Sequence, residues 1–182
     1  LADAVQQQHW DEALAIDDQH VPALIGRANQ RLNSTTPDIE GAVADIRLAE
    51  QVDFTNSEIK PVKAQAYAKR AASLATDGKN ADAEKDLKEA EALNASNGDL
   101  AAARQSLAMA YLNQAEDAAT QGDVAGIRVA SDSAERFQAA AADLARLRAE
   151  AFRLEGLQKM AAGDAAGALS SFEEAVKLDS SL

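Results

Sequence analysis

The chain has 182 residues, of which 44 are Ala, 9 are Gly and 3 are Pro, so its composition favours helices and leaves little material for β-turns. Its formal net charge of −12 argues against a nucleic-acid-binding protein or a protein bound to an anionic membrane, because both need an excess of Lys and Arg. The absence of Cys excludes thiol nucleophiles, disulfides and thiolate metal sites, and it leaves the cellular compartment open.

One spacing recurs along the chain. An apolar or small residue is followed by others four, seven and ten positions later, and a polar residue at position eleven ends the copy. Because these offsets fall along one stripe of a helix, each copy predicts a helix whose stripe is covered by another element. Three copies fit this pattern: Ala42, Ile46, Ala49, Val52 and Asp53; Ala83, Leu87, Ala90, Leu93 and Asn94; and Ala168, Phe172, Ala175, Leu178 and Asp179. Two weaker copies have the same spacing: Gln6, Trp10, Ala13, Ile16 and Asp17; and Ile127, Ser131, Ala134, Phe137 and Gln138.

Turn residues precede these copies at a fixed distance. Gly78, Gly122 and Gly163 each lie five residues before the start of a copy, and Pro37 occupies the same place before another. An Asp follows three of these four turn residues, at positions 38, 123 and 164, where a short carboxylate can cap the first amides of a new helix. Each copy is therefore predicted to be the second helix of a hairpin.

The copies and turns together predict nine helices, at about 3–16, 21–33, 38–52, 57–77, 80–94, 99–121, 124–138, 141–162 and 165–179. The helix at 3–16 has no preceding partner, and the others form the pairs 21–52, 57–94, 99–138 and 141–179. No linker interrupts the array, so residues 1–182 are predicted to form a single domain.

The segment from Gly163 to Asp179 resembles the second half of a tetratricopeptide repeat (TPR). The segment from Ala23 to Ala28 is similar to the opening of that motif, with Ala28 at its close-packing position. The resemblance implies an all-α fold, a right-handed superhelical stack of antiparallel helix pairs. Successive copies start 36, 41, 44 and 41 residues apart, whereas the family motif has a period of about 34 residues. The excess predicts lengthened first helices in the later pairs.

Both ends of the array look incomplete. The chain begins at Leu1 with a second helix, and it ends on one whose apolar residues Leu169, Phe172 and Val176 have no following helix to cover them. Repeat arrays normally close with a polar capping element. We therefore expect either a segment excised from a longer protein or self-association through these ends.

The sequence offers no catalytic, metal-binding or cofactor-binding pattern. The histidines are His9 and His20. The chain has no Cys for which either could act as a catalytic base, and their spacing is not that of a zinc-ligand pair. We therefore interpret them as solvated or helix-end residues. Adjacent carboxylates such as Glu173 and Glu174 point in different directions on a helix, and the glycines lie singly at turns rather than in a phosphate-binding loop. We predict that the protein is not an enzyme.

The resemblance implies that the first helices line a concave surface that binds a peptide. The candidate binding residues on these helices are Asn29, Asn33, Gln65, Lys69, Arg104 and Gln105. A further set, Lys63, Tyr67 and Arg70, is spaced to form a basic face with an aromatic centre. Two interpretations stay open: the face binds an acidic segment of a partner, or it is a solvated face that balances the acidic residues at 82–91.

The leading hypothesis is a non-catalytic scaffold or adaptor that binds a protein or peptide. The alternatives are a homo-oligomer formed through the terminal helices and a regulatory domain of a larger enzyme. No apolar stretch approaches the roughly 20 residues needed to cross a bilayer. We therefore predict no membrane insertion, and we leave the compartment unassigned.

Overall fold

The computed structural model describes the backbone of residues 2–180 and the side chains from His9 onward. Within that range the chain forms nine helices and no strand: α1 (Ala2–Ile16), α2 (Val21–Asn33), α3 (Ile39–Val52), α4 (Ile59–Thr76), α5 (Asn80–Ala92), α6 (Asn97–Thr120), α7 (Val124–Arg136), α8 (Ala141–Ala161) and α9 (Ala165–Leu178). Every helix begins and ends within two residues of the bounds predicted from the sequence. Gln6, the first position of the first copy, lies outside the described side chains.

The helices alternate in length. The second helices of the pairs, α3, α5, α7 and α9, have 14, 13, 13 and 14 residues. The first helices, α2, α4, α6 and α8, have 13, 18, 24 and 21 residues. The prediction that the extra residues of the longer repeats lengthen the first helices is confirmed.

The predicted turn chemistry is present at the described hairpins. Asp38, Asp123 and Asp164 each accept a hydrogen bond at 2.9 Å from the backbone N–H three residues later, which belongs to Gly41, Gly126 and Gly167. Gly78, Gly122 and Gly163 have φ angles of 73°, 71° and 83°, in the left-handed region that glycine adopts without strain. At α5 the cap position is held by Lys79, whose side chain makes no capping bond.

Residues 1–103 form one compact unit. In this unit α2 packs against α1, α3 and α4, and Leu24, Leu32 and Ile46 lie fully buried among them. Trp10 of α1 packs on Gly26 of α2, where a Cβ atom would lie 2.5 Å from the indole ring. Gly26 therefore permits the close approach of the two helices.

Two carboxylates are buried inside this unit. Asp45 of α3 is 5 % exposed and accepts hydrogen bonds from Arg27 at 2.7 and 3.0 Å and from Arg31 at 2.7 Å. Asp86 of α5 is also 5 % exposed and accepts two hydrogen bonds from Arg70. The hydrogen bonds to Asp45 raise the pKa of the Arg27 guanidinium above its ordinary value. Each carboxylate joins a first helix to the second helix of its own pair.

Residues 104–182 form a second compact unit, and the boundary between the two units falls within α6. In this unit α8 packs against α7 and α9, and Ile127 and Leu147 are fully buried. Phe137 stacks on Tyr111 with ring centroids 6.0 Å apart. The organisation of residues 1–182 as a single domain stays a prediction.

The terminal helix α9 corrects one expectation. Phe172 is not left uncovered, because its ring packs on Gly156 of α8, where a Cβ atom would lie 2.6 Å away. Leu169 and Val176, in contrast, are 61 % and 50 % exposed. Phe172 thus belongs to the packing within the last pair, and the uncovered apolar face of α9 is narrower than the sequence predicts.

Candidate functional site

A shallow groove runs between the first helices α2 and α4, with a volume of about 460 Å³. We call it the α2–α4 groove, and its lining residues are Ile25, Asn29, Glu58, Pro61, Val62 and Gln65. Ile25 and Val62 form an apolar floor, since they are 4 % and 7 % exposed. The structure therefore brings Asn29 and Gln65, two of the predicted binding residues, to the same concavity.

Side-chain amides connect the two walls of the groove. The Asn33 side chain donates to the carbonyl oxygen of Asn29 at 2.8 Å, and the Gln65 side chain donates to the Asn33 amide oxygen at 3.2 Å. Within the described residues, no protein group binds the side-chain amide of Asn29 or the Oε1 atom of Gln65. An amide carries both donors and acceptors, so these groups can bond a peptide backbone passing along the groove.

Lys63 and Tyr67 lie farther along α4. Both carboxylate oxygens of Glu50 in α3 accept hydrogen bonds from Lys63 Nζ at 2.7 Å, and the same ammonium lies 5.9 Å from the centre of the Tyr67 ring. The charge of Lys63 is therefore already balanced within the protein. A partner carboxylate would have to compete with Glu50 for it.

Arg70 and Lys69 are likewise engaged. Arg70 binds Asp86, lies 3.7 Å from Glu40 and stacks over Tyr67 at 4.9 Å, and its side chain is 12 % exposed. The hydrogen bonds to Asp86 are the main reason that the pKa of Arg70 is raised. Lys69 donates to the carbonyl oxygen of Leu32 at 3.0 Å. Lys63, Lys69 and Arg70 thus hold neighbouring helices together.

The remaining predicted residues, Arg104 and Gln105, lie on α6 in the unit 104–182. Arg104 is half-buried and Gln105 is exposed. They are not among the lining residues of the α2–α4 groove.

Sequence reasoning missed part of the groove. The groove is also lined by Glu58, Pro61 and Val62. These residues lie at the N-terminal end of α4, which begins at Ile59. Pro61 and Val62 lie in the first turns of a first helix, and this position is a signal that could have identified them. Glu58 precedes the helix, and no spacing in the sequence marks it.

A smaller cavity of about 220 Å³ lies in the other unit, between α7 and α8. Its lining includes Arg148, which binds Asp132 at 2.9 Å and Glu135 at 2.7 Å, and Arg128, which stacks on Phe152 at 5.3 Å. Ion-paired side chains of the two neighbouring helices line this cavity. It is a packing feature of the α7–α8 junction.

The histidines have the structural roles that the sequence indicated. His20 Nδ1 accepts a hydrogen bond from the Ala23 amide at 3.2 Å and so caps α2, while His9 is exposed beside Glu12. Among the described residues, no cluster of His, Asp and Glu has the arrangement of a metal site. None of the described helices combines the length and the apolar character that crossing a bilayer requires.

These features define the class of the protein: within the described residues, helix pairs joined by tight turns repeat along the chain, which is the all-α repeat architecture that the sequence predicts. Among solved structures, the chain is similar to the TPR domain of P58(IPK), with 23 % identity and a TM-score of 0.42. The match covers 96 % of this chain and 45 % of that one. No protein-family model and no curated protein matches the sequence.

Proposed function

We propose that the protein is a non-catalytic interaction module that binds an extended segment of a protein partner in the α2–α4 groove. The observation that carries the proposal is the lining of the groove. An apolar floor formed by Ile25 and Val62 lies beside side-chain amides that have unused hydrogen-bonding capacity. Concave, mostly apolar sites with a few convergent polar groups are typical of binding sites.

The charges near the groove support recognition of a peptide backbone. Lys63, Lys69 and Arg70 are bound by groups of the protein itself. The amides of Asn29 and Gln65 remain to bond main-chain N–H and C=O groups, which every peptide offers. Binding of an acidic partner segment stays a prediction. For such binding, Lys63 would have to release Glu50 and bind a carboxylate of the partner.

Peptide display against the 182-residue chain tests this function. We expect selected peptides to bind with an affinity that Asn29→Ala and Gln65→Ala each lower by about fivefold to tenfold, since one hydrogen bond contributes roughly 1 kcal/mol. Gln51→Ala is the matched control, because Gln51 is an exposed amide on the second helix α3. Peptides that bind all variants equally, or a library that yields no binder, would contradict the proposal.

A further inference from the structure

The lining of the α2–α4 groove includes an open carboxylate. Among the described residues that line the groove, Glu58 is the one acidic or basic residue. Its side chain is exposed, does not cap α4, and makes no ion pair with any described residue. The groove therefore offers a partner one negative charge beside its apolar floor.

The cations of α2 and α4 do not neutralise this carboxylate. Those farther along α4 are bound by groups of the protein, and so are Arg27 and Arg31 of α2, which share Asp45. Lys60 follows Glu58 by two positions and lies on the opposite side of α4, because two positions turn a helix by about 200°. Lys60 also forms no ion pair with Glu58. The charge of Glu58 is thus left for a partner to balance.

The N-terminus of α4 does little to attract an acidic segment to this end of the groove. A helix N-terminus binds anions through free backbone N–H groups. Here the Glu58 N–H donates to the side-chain oxygen of Asn56 at 2.9 Å, and the Ile59 N–H donates to the Asn56 carbonyl oxygen at 3.2 Å. Pro61 has no N–H. Three of the four positions 58–61 therefore offer no free donor that could offset the Glu58 carboxylate.

The spacing along α4 indicates how a basic residue of the partner would be placed. Glu58, Val62 and Gln65 are four and three positions apart, on one side of the helix. Glu58 has helical backbone angles, with φ −77° and ψ −20°, so it lies about 6 Å from Val62 along the helix axis. Side chains two positions apart on one side of an extended peptide are separated by about 7 Å. A partner side chain that packs on Val62 therefore brings the side chain two positions away to Glu58.

We propose that the α2–α4 groove selects a basic partner segment, in which a Lys or Arg lies two positions from an apolar residue. The apolar side chain packs on Ile25 and Val62, and the cation binds the Glu58 carboxylate. This inference rests on the proposed function, because it names the partner chemistry of the same groove. The net charge of −12 favours the approach of a cationic segment through long-range attraction.

The probe for this proposal is a phage-displayed library of short peptides with random sequence, selected on the 182-residue chain. We expect the sequenced binders to contain Lys or Arg two positions from Leu, Ile, Val or Phe, in either chain direction, more often than the unselected library. The same residues spaced one or three positions apart should show no such enrichment. Glu58→Lys, selected in parallel, should enrich Asp and Glu instead.

Affinity measurements on one selected peptide test the ion pair directly. Glu58→Lys should weaken its binding about fivefold to tenfold, because an attraction at the rim of the groove becomes a repulsion. Glu89→Lys is the matched control, since Glu89 is an exposed residue of α5 outside the groove lining and its substitution changes the net charge equally. A peptide in which Glu replaces the basic residue should recover the affinity on Glu58→Lys. Circular dichroism of each variant checks that the helices are intact.

The outcomes separate this inference from the proposed function. Binders that Asn29→Ala weakens, but that lack the basic residue or respond equally to Glu58→Lys and Glu89→Lys, would overturn the basic partner and leave the groove as the binding site. Binders of the parent chain that are enriched in Asp and Glu would assign the groove to an acidic segment. A library without binders, or binders that neither Asn29→Ala nor Glu58→Lys weakens, would overturn both proposals.

Discussion

At the scale of single residues, the buried carboxylates and serines among the described residues divide into those whose side chains are hydrogen-bonded and Ser131, whose hydroxyl is not. Asp45 and Asp86 each bind arginines through two oxygens. Ser171 accepts a hydrogen bond from Lys159 at 3.1 Å. Ser131 is fully buried, and among the described residues its hydroxyl has no hydrogen-bond partner. Removing these groups should therefore change the free energy of unfolding by different amounts.

Asp45→Asn should destabilise the unit 1–103 strongly. The substitution leaves Arg27 and Arg31, whose side chains are 22 % and 26 % exposed, without their shared carboxylate. Removing one member of a buried ion pair costs about 3 kcal/mol. Urea unfolding followed by circular dichroism measures the loss, with the exposed Asp18→Asn as the control. Equal midpoints for the two variants would contradict a structural role of the Asp45 cluster.

Ser131→Ala should leave the stability unchanged or raise it by up to about 1 kcal/mol, because it removes a buried hydroxyl that gains no hydrogen bond from folding. Ser171→Ala is the matched substitution at a buried serine that is bonded, and it should lower the stability by about 1 kcal/mol. Thermal unfolding of both variants compares the two. A larger loss for Ser131→Ala than for Ser171→Ala would show that the Ser131 hydroxyl is bonded in solution.

At the scale of helices, a short motif starts three of the second helices: a capping Asp is followed three residues later by Gly. A Cβ atom at Gly41, Gly126 or Gly167 would lie 2.0 to 2.3 Å from the Oδ2 atom of that Asp. Glycine at this position therefore lets the carboxylate fold back onto the helix and reach the amide. The sequence revealed the caps, but the steric reason for the glycines became visible only with side-chain positions.

Asp123→Ala should lower the stability by about 1 kcal/mol, because the amide of Gly126 loses its acceptor at the start of α7. Lys79→Ala is the matched control. Lys79 occupies the same cap position at α5, where its side chain makes no capping hydrogen bond. We expect thermal unfolding to separate the two variants, and a shift of similar size in both would show that the capping bond contributes nothing.

Helix positions could be predicted from the sequence, because periodic apolar residues and turn glycines are local signals. The first helices lengthen as the spacing of the copies requires. Side chains that reach across helices were not predictable in the same way. The spacing of Lys63 and Arg70 indicated a basic face and the acidic residues at 82–91 as one way to balance it, and Asp86 is the partner of Arg70. Glu50, the partner of Lys63, belongs to α3, and no spacing in the sequence marked it. A long cationic side chain forms an ion pair with a carboxylate that helix packing brings within reach.

At the scale of the whole molecule, the acidic composition coexists with many ion pairs between helices. Within residues 104–182, Arg148 joins α8 to Asp132 and Glu135 of α7, and Arg128 joins α7 to Glu155 of α8. The hydrogen bond from Arg148 lowers the pKa of Glu135. Lys159, followed by Arg128, lowers the pKa of Glu155. Glu135 and Glu155 are thus more acidic in the folded chain than in the unfolded one.

This difference predicts how stability depends on pH. A carboxylate with a lowered folded pKa stabilises the protein above its ordinary pKa of 4.5 and loses that contribution as the pH falls through the lowered value. We therefore expect the melting temperature to fall from pH 6 to pH 3. The fall should be smaller for Glu155→Gln, whereas Glu173→Gln, at an exposed residue, should behave like the parent chain. If the melting temperature of Glu155→Gln depended on pH as that of the parent chain does, the ion pairs of Glu155 would make no contribution to stability.

The turn glycines have a stereochemical consequence. A Cβ atom at Gly78, Gly122 or Gly163 would meet nothing within 4 Å, so only the sign of φ opposes an ordinary alanine there. The mirror-image amino acid prefers that sign. D-alanine introduced by chemical synthesis should therefore fit each turn without strain and stabilise it by up to about 1 kcal/mol, because it restricts the unfolded chain. Natural L-alanine in the same place should destabilise it.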